Sequence, residues 1–315
     1  MDALSHSILG VSTSIESLRS YIPKVAASEA PVLITGETGT GKESIAANIH
    51  HLSRRRSGPF IVVNCAALPA TLFESEFFGH ERGAFTGAVS GQQGWAVAAD
   101  NGTLFLDEIG ELDVMSQAKL LRFLEGGQVG RLGSTRQVSS DVRVVAATNQ
   151  YLEDQVEEHK FRADLFYRLN VARIEVQPLR ERPEDIPVLF AHFIEEMNDR
   201  TGLHVGGLDG ELFTCLAGYD WPGNVRELRN LVEAVFIDPP RGRLRIHHLP
   251  PAFRKRVTEH YRHAPDEREA LIAALKLTDW NKAQAAKILK MSRMSIYRKI
   301  AKYHIGDDSD IIHPD

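Results

Sequence analysis

The sequence predicts an α/β protein: a parallel sheet covered by helices on both faces, followed by an all-α C-terminal part. Three observations carry this reading. Short apolar runs alternate with stretches of helical spacing up to about residue 175. A glycine-rich loop, Gly36-Glu37-Thr38-Gly39-Thr40-Gly41-Lys42, joins the first run to the first helical stretch. From about 176 to 250 the apolar spacing changes and reads as helical.

The run 31–35 (PVLIT) reads as the first strand, and 43–53 follows as a helix with Ile45 and Ile49 four apart. Further strands are expected at 60–63, 103–106 and 142–147. They end in Asn64, in Asp107-Glu108 and in Thr148-Asn149. In open parallel sheets ligands bind at the carboxyl ends of strands, where all these polar residues and the glycine loop lie. Pro183 fits a helix start. Helices are read at 188–200, 210–219 and 224–236, with Asn224 as the N-cap of the last. Residues 251–264 read as a connector, and 266–277, 281–290 and 293–303 as three helical pieces before a mobile tail.

Composition narrows the function classes. The 315 residues leave room for about two domains of ~150 residues. With 43% hydrophobic and 25% charged residues, the chain is neither disordered nor a disulfide scaffold. No run approaches the ~18 apolar residues of a membrane span, so no membrane partner is expected. The N-terminus shows no signal peptide. Cys65 and Cys215 lack metal-ligand spacing, which fits a reducing cytoplasm. The pairs His50-His51 and His247-His248 read as surface residues. Residues 251–305 hold 13 Lys and Arg against 5 Asp and Glu, a net +8, while the remainder carries −13. A basic module on an acidic body fits nucleic-acid binding, and equally a solvated basic helix.

The glycine loop matches GxxxxGK. Its backbone N–H groups and the following helix N-terminus suit a phosphate chain, with Lys42 reaching the β/γ-phosphates. Glu43 stands where Ser or Thr ordinarily meets Mg2+. Asp107 is the expected Mg2+ ligand and Glu108 the group that polarises the attacking water. Asn64 is placed either on Glu108, holding it unproductive, or in a strand-end turn. Thr148 and Asn149 sit where a polar side chain senses the γ-phosphate. Arg162 and Arg168 fit arginine fingers, acting in cis or across a subunit interface.

Five segments together, GETGTGKE, GAFTGA at 83–88, GTLFLDEIGEL at 102–112, FRADLFYRL and WPGNVREL, resemble the bacterial enhancer-binding proteins, AAA+ activators of sigma-54 RNA polymerase. The resemblance runs from about Ile8 to Ile305. It implies an α/β AAA+ P-loop core with a parallel sheet (1–175), a helical lid (176–250), the connector 251–264, an all-α Fis-type helix-turn-helix domain (265–305) and the tail 306–315. Glu43 is common at its position in that family. Thr148 resembles sensor I and Arg226 the sensor II arginine. Arg162 and Arg168 match trans-acting fingers, which implies a homo-hexamer with ATP and Mg2+ between subunits. Phe85 and Thr86 match the tip of the loop that contacts sigma-54. Arg131, in GRLGS, falls in a further family motif. In the helix-turn-helix, Ala285, Ile288, Leu289, Ile296 and Ile300 form the apolar seam. Arg293, Ser295, Tyr297, Arg298 and Lys302 are left for double-stranded enhancer DNA. A core beginning near Met1 resembles the short phage-shock-type activators, which implies control by a separate protein in trans.

Overall fold

The computed structural model describes residues 8–67, 69–85, 88–263, 271–272, 275, 278, 280–289, 296–297, 299–300, 303 and 305. Two compact units divide the chain: Met1–Leu208 with Asp220–Leu244, and Asp209–Tyr219 with Arg245–Asp315.

In the first unit, α1 (Thr13–Ala27) precedes β1 (Val32–Thr35) and α2 (Lys42–Leu52). Then come β2 (Phe60–Asn64), α3 (Ala70–Phe78), the short hairpin β3 (Gly79–His80) and β4 (Gln92–Gln93), α4 (Trp95–Ala98) and β5 (Thr103–Asp107). Next are α5 (Val114–Gly126), a second hairpin β6 (Gln128–Gly130) and β7 (Gln137–Ser139), and β8 (Arg143–Thr148). After α6 (Leu152–Glu157) and α7 (Ala163–Leu169), β9 (Ala172–Glu175) completes the main sheet. Its order is β2-β5-β8-β1-β9, parallel at every junction. The four expected strands are present, extended to include Asn64, Asp107 and Thr148.

Alternation along the strands sorts side chains into two layers. Leu33, Val63, Leu104, Leu106, Val144 and Ala146 pack beneath Phe73, Phe77, Leu120, Phe123 and Leu165 of α3, α5 and α7. Val32, Ile34, Phe105, Val145 and Ala147 pack against Ile15, Ile22, Ile45 and Ile49 of α1 and α2. Each such Leu, Ile or Phe contributes roughly 1.5–3 kcal/mol by burial. These two layers hold the strand ends, and so the glycine loop, in fixed register. Arg143 is buried, and its guanidinium donates to the Val25 and Ala26 carbonyls at the end of α1 (2.7 and 2.9 Å). His50, expected on the surface, is buried on the inner face of α2, where its Nδ1 meets Thr103 Oγ1 at 2.9 Å.

The unit continues through α8 (Ile186–Thr201) and β10 (Val205–Leu208). In the second unit lies α9 (Gly210–Ala217), after which α10 (Asn224–Val235) and β11 (Gly242–Leu244) return to the first. Pro183 opens a 3-10 turn rather than α8 itself. The stretch expected as a connector forms α11 (Pro251–His263) in the second unit. No Gly or Pro interrupts 252–263, and Phe253 and Val257, four apart, are both buried. Beyond it, a helix spans Lys282–Ile288. Leu271, Leu275, Ala285, Ala286 and Ile296 form the core of this region, with Leu289 and Ile300 packed on it.

Candidate functional site

The glycine loop leaves β1 and enters α2 with Gly41 at the N-cap position. Lys42 is only 6% exposed, and its Nζ donates to the Gly36 carbonyl at 2.8 Å and lies 3.7 Å from Glu108 Oε1. Burial lowers the Lys42 pKa, while Glu108 and Asp107 act against that shift. The ammonium therefore stands in a partly desolvated cleft with two carboxylates, where its charge is worth more than in water. Asp107 Oδ1 accepts the Glu108 N–H at 3.1 Å. Glu108 has φ +51, a left-handed conformation that lifts its carboxylate off the line of β5. The Asn149 N–H donates to Glu108 Oε2 at 3.2 Å, and Asn149 Nδ2 donates to Thr38 Oγ1 at 3.0 Å. The ends of β5 and β8 are thus tied to the loop.

Thr148 is fully buried; its Oγ1 accepts the Gln150 N–H and its carbonyl accepts the Gly36 N–H of the loop at 3.2 Å, while the exposed Asn149 reaches the loop with its side chain. Asn64 is not hydrogen-bonded to Glu108. Its Oδ1 accepts the Ala66 N–H at 3.0 Å, the strand-end turn alternative, because the chain turns into a 3-10 helix at Cys65. Beneath the two acids, burial pushes the Cys65 thiol up to about 12, reinforced by Asp107 and Glu108, which keeps it protonated at neutral pH. Glu43 is exposed in the first turn of α2, where a carboxylate is favoured by the helix dipole.

A second set of residues reaches the loop from 179–226. The Arg180 guanidinium pairs with both oxygens of Glu37 (2.8 and 2.6 Å) and holds that carboxyl below its usual range. Arg182 donates to the Thr40 carbonyl at 3.2 Å. The Arg226 N–H donates to the Gly39 carbonyl at 3.2 Å. Asn224 is fully buried; its Nδ2 donates to Thr38 O and Glu37 Oε2, and its Oδ1 accepts the Leu179 N–H. It does not cap α10: the loop carbonyl at Gly39 satisfies a first-turn N–H instead. Sequence reading missed Arg180, Arg182 and Asn224 here, since nothing local in PLRERPED or WPGN points to a loop more than 140 residues away.

The donor set fits a nucleotide phosphate chain with one Mg2+. The loop offers backbone N–H groups and the Lys42 ammonium, and Asp107 offers the carboxylate; Mg2+ takes one or two protein carboxylates and completes its shell from phosphate and water. No cluster of three or more His, Cys, Asp or Glu suited to a metal occurs among the described residues.

The expected arginine fingers lie elsewhere. The half-buried Arg162 pairs with Asp164 at the start of α7, and the exposed Arg168 donates to the Leu124 carbonyl; neither bonds to the loop within the chain. Among the described residues of 79–88, the Gly83 N–H donates to Ala88 O and the Ala88 N–H to Phe85 O. Phe85 is 42% exposed and its ring meets His80 edge-on at 5.0 Å. Thr86 lies outside the described residues. β3 is extended by Leu132, whose N–H donates to Gly79 O and whose carbonyl accepts the Glu81 N–H. The adjoining Arg131 has a buried Nε with no hydrogen-bond partner. Of the expected DNA face, Tyr297 is exposed and carries the Lys282 ammonium 5.0 Å over its ring. Arg293, Ser295, Arg298 and Lys302 lie outside the described residues.

Comparison with known proteins agrees with this arrangement. Residues 8–175 match the sigma-54 interaction domain, 180–266 the AAA+ ATPase lid domain, and 265–303 the Fis family of bacterial regulatory proteins. The chain is 49% identical over 240 residues to the DNA-binding transcriptional activator HyfR of Escherichia coli K12, covering 76% of this chain and 36% of HyfR. It is 53% identical over 217 residues to the sigma54-dependent transcriptional regulator SfnR of Pseudomonas fluorescens, covering 69% of this chain and 59% of SfnR. The transcriptional regulatory protein ZraR of E. coli K12 is 43% identical over 301 residues, covering 94% of this chain and 68% of ZraR. The chain thus spans between about a third and two thirds of these relatives' lengths. Among solved structures, NtrX from Brucella abortus in complex with ATP superimposes with a TM-score of 0.72 at 33% identity, over 95% of this chain and 69% of NtrX. NtrX with ADP gives 0.73 at 32%, with the same coverage. With an AAA+ P-loop core, a helical lid and a Fis-type helix-turn-helix domain in one chain, the protein belongs to the sigma-54-dependent transcriptional activators.

Proposed function

We propose that the chain is an ATP-hydrolysing transcription activator. It binds enhancer-like DNA through its C-terminal module and remodels sigma-54 RNA polymerase closed complexes through the 83–88 loop. The observation that carries this reading is the convergence of Lys42, Asp107, Glu108 and Asn149 on one cleft.

The residues act as follows. The loop Gly36–Gly41 and Lys42 bind the triphosphate and neutralise its β/γ oxygens, with Thr38, Thr40 and Glu43 at the loop's rim. Asp107 would hold Mg2+, which would supply charge neutralisation to the phosphates. Glu108 orients a water and takes its proton as the oxygen attacks the γ-phosphorus and the bond to the β-phosphate oxygen breaks. The Asn149 N–H keeps that carboxylate aimed at the loop, and Thr148 fixes the strand end beneath it. Asn64 sits one strand away and acts on Glu108 only after leaving its turn. Arg226, on the first turn of α10, faces the same phosphates.

Arg162 and Arg168, which bond to Asp164 and Leu124 rather than to their own chain's loop, suit delivery to a neighbour's site in a homo-hexamer. Phe85 and Thr86 would grip sigma-54. Arg293, Ser295, Tyr297, Arg298 and Lys302 would contact DNA bases and phosphates. A cytoplasmic location and a regulator acting in trans fit this reading, and no helix among the described residues is long and apolar enough to cross a membrane. The test is steady-state ATP hydrolysis together with ATP-dependent open-complex formation by sigma-54 polymerase. Hydrolysis without open complexes would leave an AAA+ machine with another target, and no hydrolysis would leave a DNA-binding regulator with an idle nucleotide site.

A further inference from the structure

We propose that Asn224 is the positioning residue of the P-loop: its buried carboxamide ties Glu37 and Thr38 to Leu179, so that the loop's phosphate-binding shape depends on the 179–226 segment. The inference rests on the P-loop binding ATP as proposed above.

The geometry is specific. Oδ1 accepts the Leu179 N–H at 2.7 Å, and the two N–H bonds of Nδ2 are directed at Thr38 O (3.0 Å) and Glu37 Oε2 (3.2 Å). A carboxamide with three such bonds is nearly saturated, and no other side chain of this size offers one acceptor and two donors in that fork. The backbone makes the same point. Asn224 has φ +51, in the left-handed region, at the first residue of α10. Glycine would hold that φ without strain but would give up all three bonds; Asn tolerates it and keeps them. An N-capping role, the ordinary reason for Asn at this place, is absent, since Gly223 is the N-cap.

The position of Glu37 gives the contact its function. A free carboxylate in the loop would repel incoming phosphate. Arg180 occupies its two oxygens from one side and Asn224 holds Oε2 from the other, which turns its charge away from the cradle. The contacts at Thr38, Gly39 and Thr40 continue in series, from Asn224, Arg226 and Arg182. Four successive loop residues are therefore held by one segment, and Asn224 is the only one of these partners that is both fully buried and bonded to two of them.

The experiment titrates fluorescent (mant-labelled) ATP and ADP into the full chain and measures KM and kcat for ATP. Asn224→Asp keeps the acceptor for Leu179 and removes both donors. It should weaken both nucleotides by tenfold or more and raise KM in parallel, with kcat at saturation within threefold of wild type. Exchanging the groups, Glu37→Gln with Asn224→Asp, remakes the 37–224 hydrogen bond with the donor on the other side and should recover at least threefold in affinity. Equal losses in kcat and affinity with no recovery in the exchanged pair would mark general damage and overturn the proposal. So would affinity within twofold of wild type. Should Asn224→Asp fail to fold, Arg180→Ala decides, because Arg180 is exposed and acts through the same Glu37: two- to fivefold weaker nucleotide supports the proposal and no change overturns it. A wild-type chain that binds neither nucleotide overturns the proposed function itself; wild-type binding beside an unaltered Asn224→Asp overturns this inference alone.

Discussion

Two glycines, Gly39 in the 36–42 loop and Gly83 ahead of Phe85, differ in what surrounds them. The first loop is held at four consecutive residues by 179–226, and a Cβ on Gly39 would come within 2.3 Å of the Gly223 carbonyl. At the second, the Gly83 N–H donates to Ala88 O, Ala84 lies against Gly133 and Phe85 against His80, but a Cβ on Gly83 would meet nothing within 4 Å. Both glycines have positive φ, +81 and +84, but only Gly39 is also required by close approach of another backbone. A loop that must present fixed N–H groups to phosphate gains from rigid support. A loop that must move against a partner gains from having little.

That difference sets out what substitutions should do. The largest effects belong to the first loop. Lys42→Ala should lose nucleotide binding altogether, measured by fluorescent-nucleotide titration, because the buried ammonium at the loop is removed. Glu108→Ala should bind nucleotide but lose turnover by ~10²–10⁴, as expected for removal of a general base; native-rate hydrolysis would show that Glu108 is not the group that activates water. Gly39→Ala should follow, with at least tenfold weaker nucleotide binding, since a backbone carbonyl blocks the new methyl.

Gly83→Ala sharpens the contrast. Strain from φ alone costs roughly 1–2 kcal/mol, and it falls on a surface turn, so ATP affinity should stay within twofold of wild type. A drop comparable to Gly39→Ala would mean that the two loops are not independently supported.

The smallest effect concerns the packing of α2 on the sheet. Burial lowers the His50 pKa, with His51 and Arg143 adding to the shift. The unfolded chain then binds the extra proton first, so stability is lost as pH falls below the ordinary His value of about 6.5 and down to the folded value. Thermal melting from pH 7.5 to 5 should show a slope that His50→Asn flattens, with Asn retaining a polar atom for Thr103. Parallel slopes would assign the acid sensitivity to other groups.

What was legible in the sequence follows from the same contrast. The P-loop, β5 and β8 were readable because apolar runs ending in Asp107-Glu108 and Thr148-Asn149 state a parallel sheet and its functional edge. β9 was missed: as an edge strand it buries only Ile174 in Ala-Arg-Ile-Glu, too little for a pattern. α11 reads as a connector in the sequence because its charge masks the Phe253–Val257 stripe. Asn224 was read from its neighbours as a cap, whereas its partners, Glu37 and Thr38, lie 187 and 186 residues away. Asn64 was placed on Glu108 as one alternative, yet a local turn competes for its carboxamide and wins in this state. Arg162 and Arg168 showed their chemistry in the sequence but not the site they serve. Within one chain their partners are Asp164 and Leu124.

The central proposal is that the 36–42 loop binds nucleotide while the 83–88 loop passes the nucleotide state to sigma-54. The most direct test measures, for wild type and Thr86→Ala, co-sedimentation with sigma-54 in the presence of ADP and aluminium fluoride, alongside the ATPase rate. Losing one hydroxyl hydrogen bond contributes only ~0.5–1.5 kcal/mol, so complete loss of capture would also mean that the loop fails to reach its binding conformation. The account predicts native-like ATP hydrolysis and no sigma-54 capture by Thr86→Ala. Normal capture and normal promoter opening by that variant would contradict it.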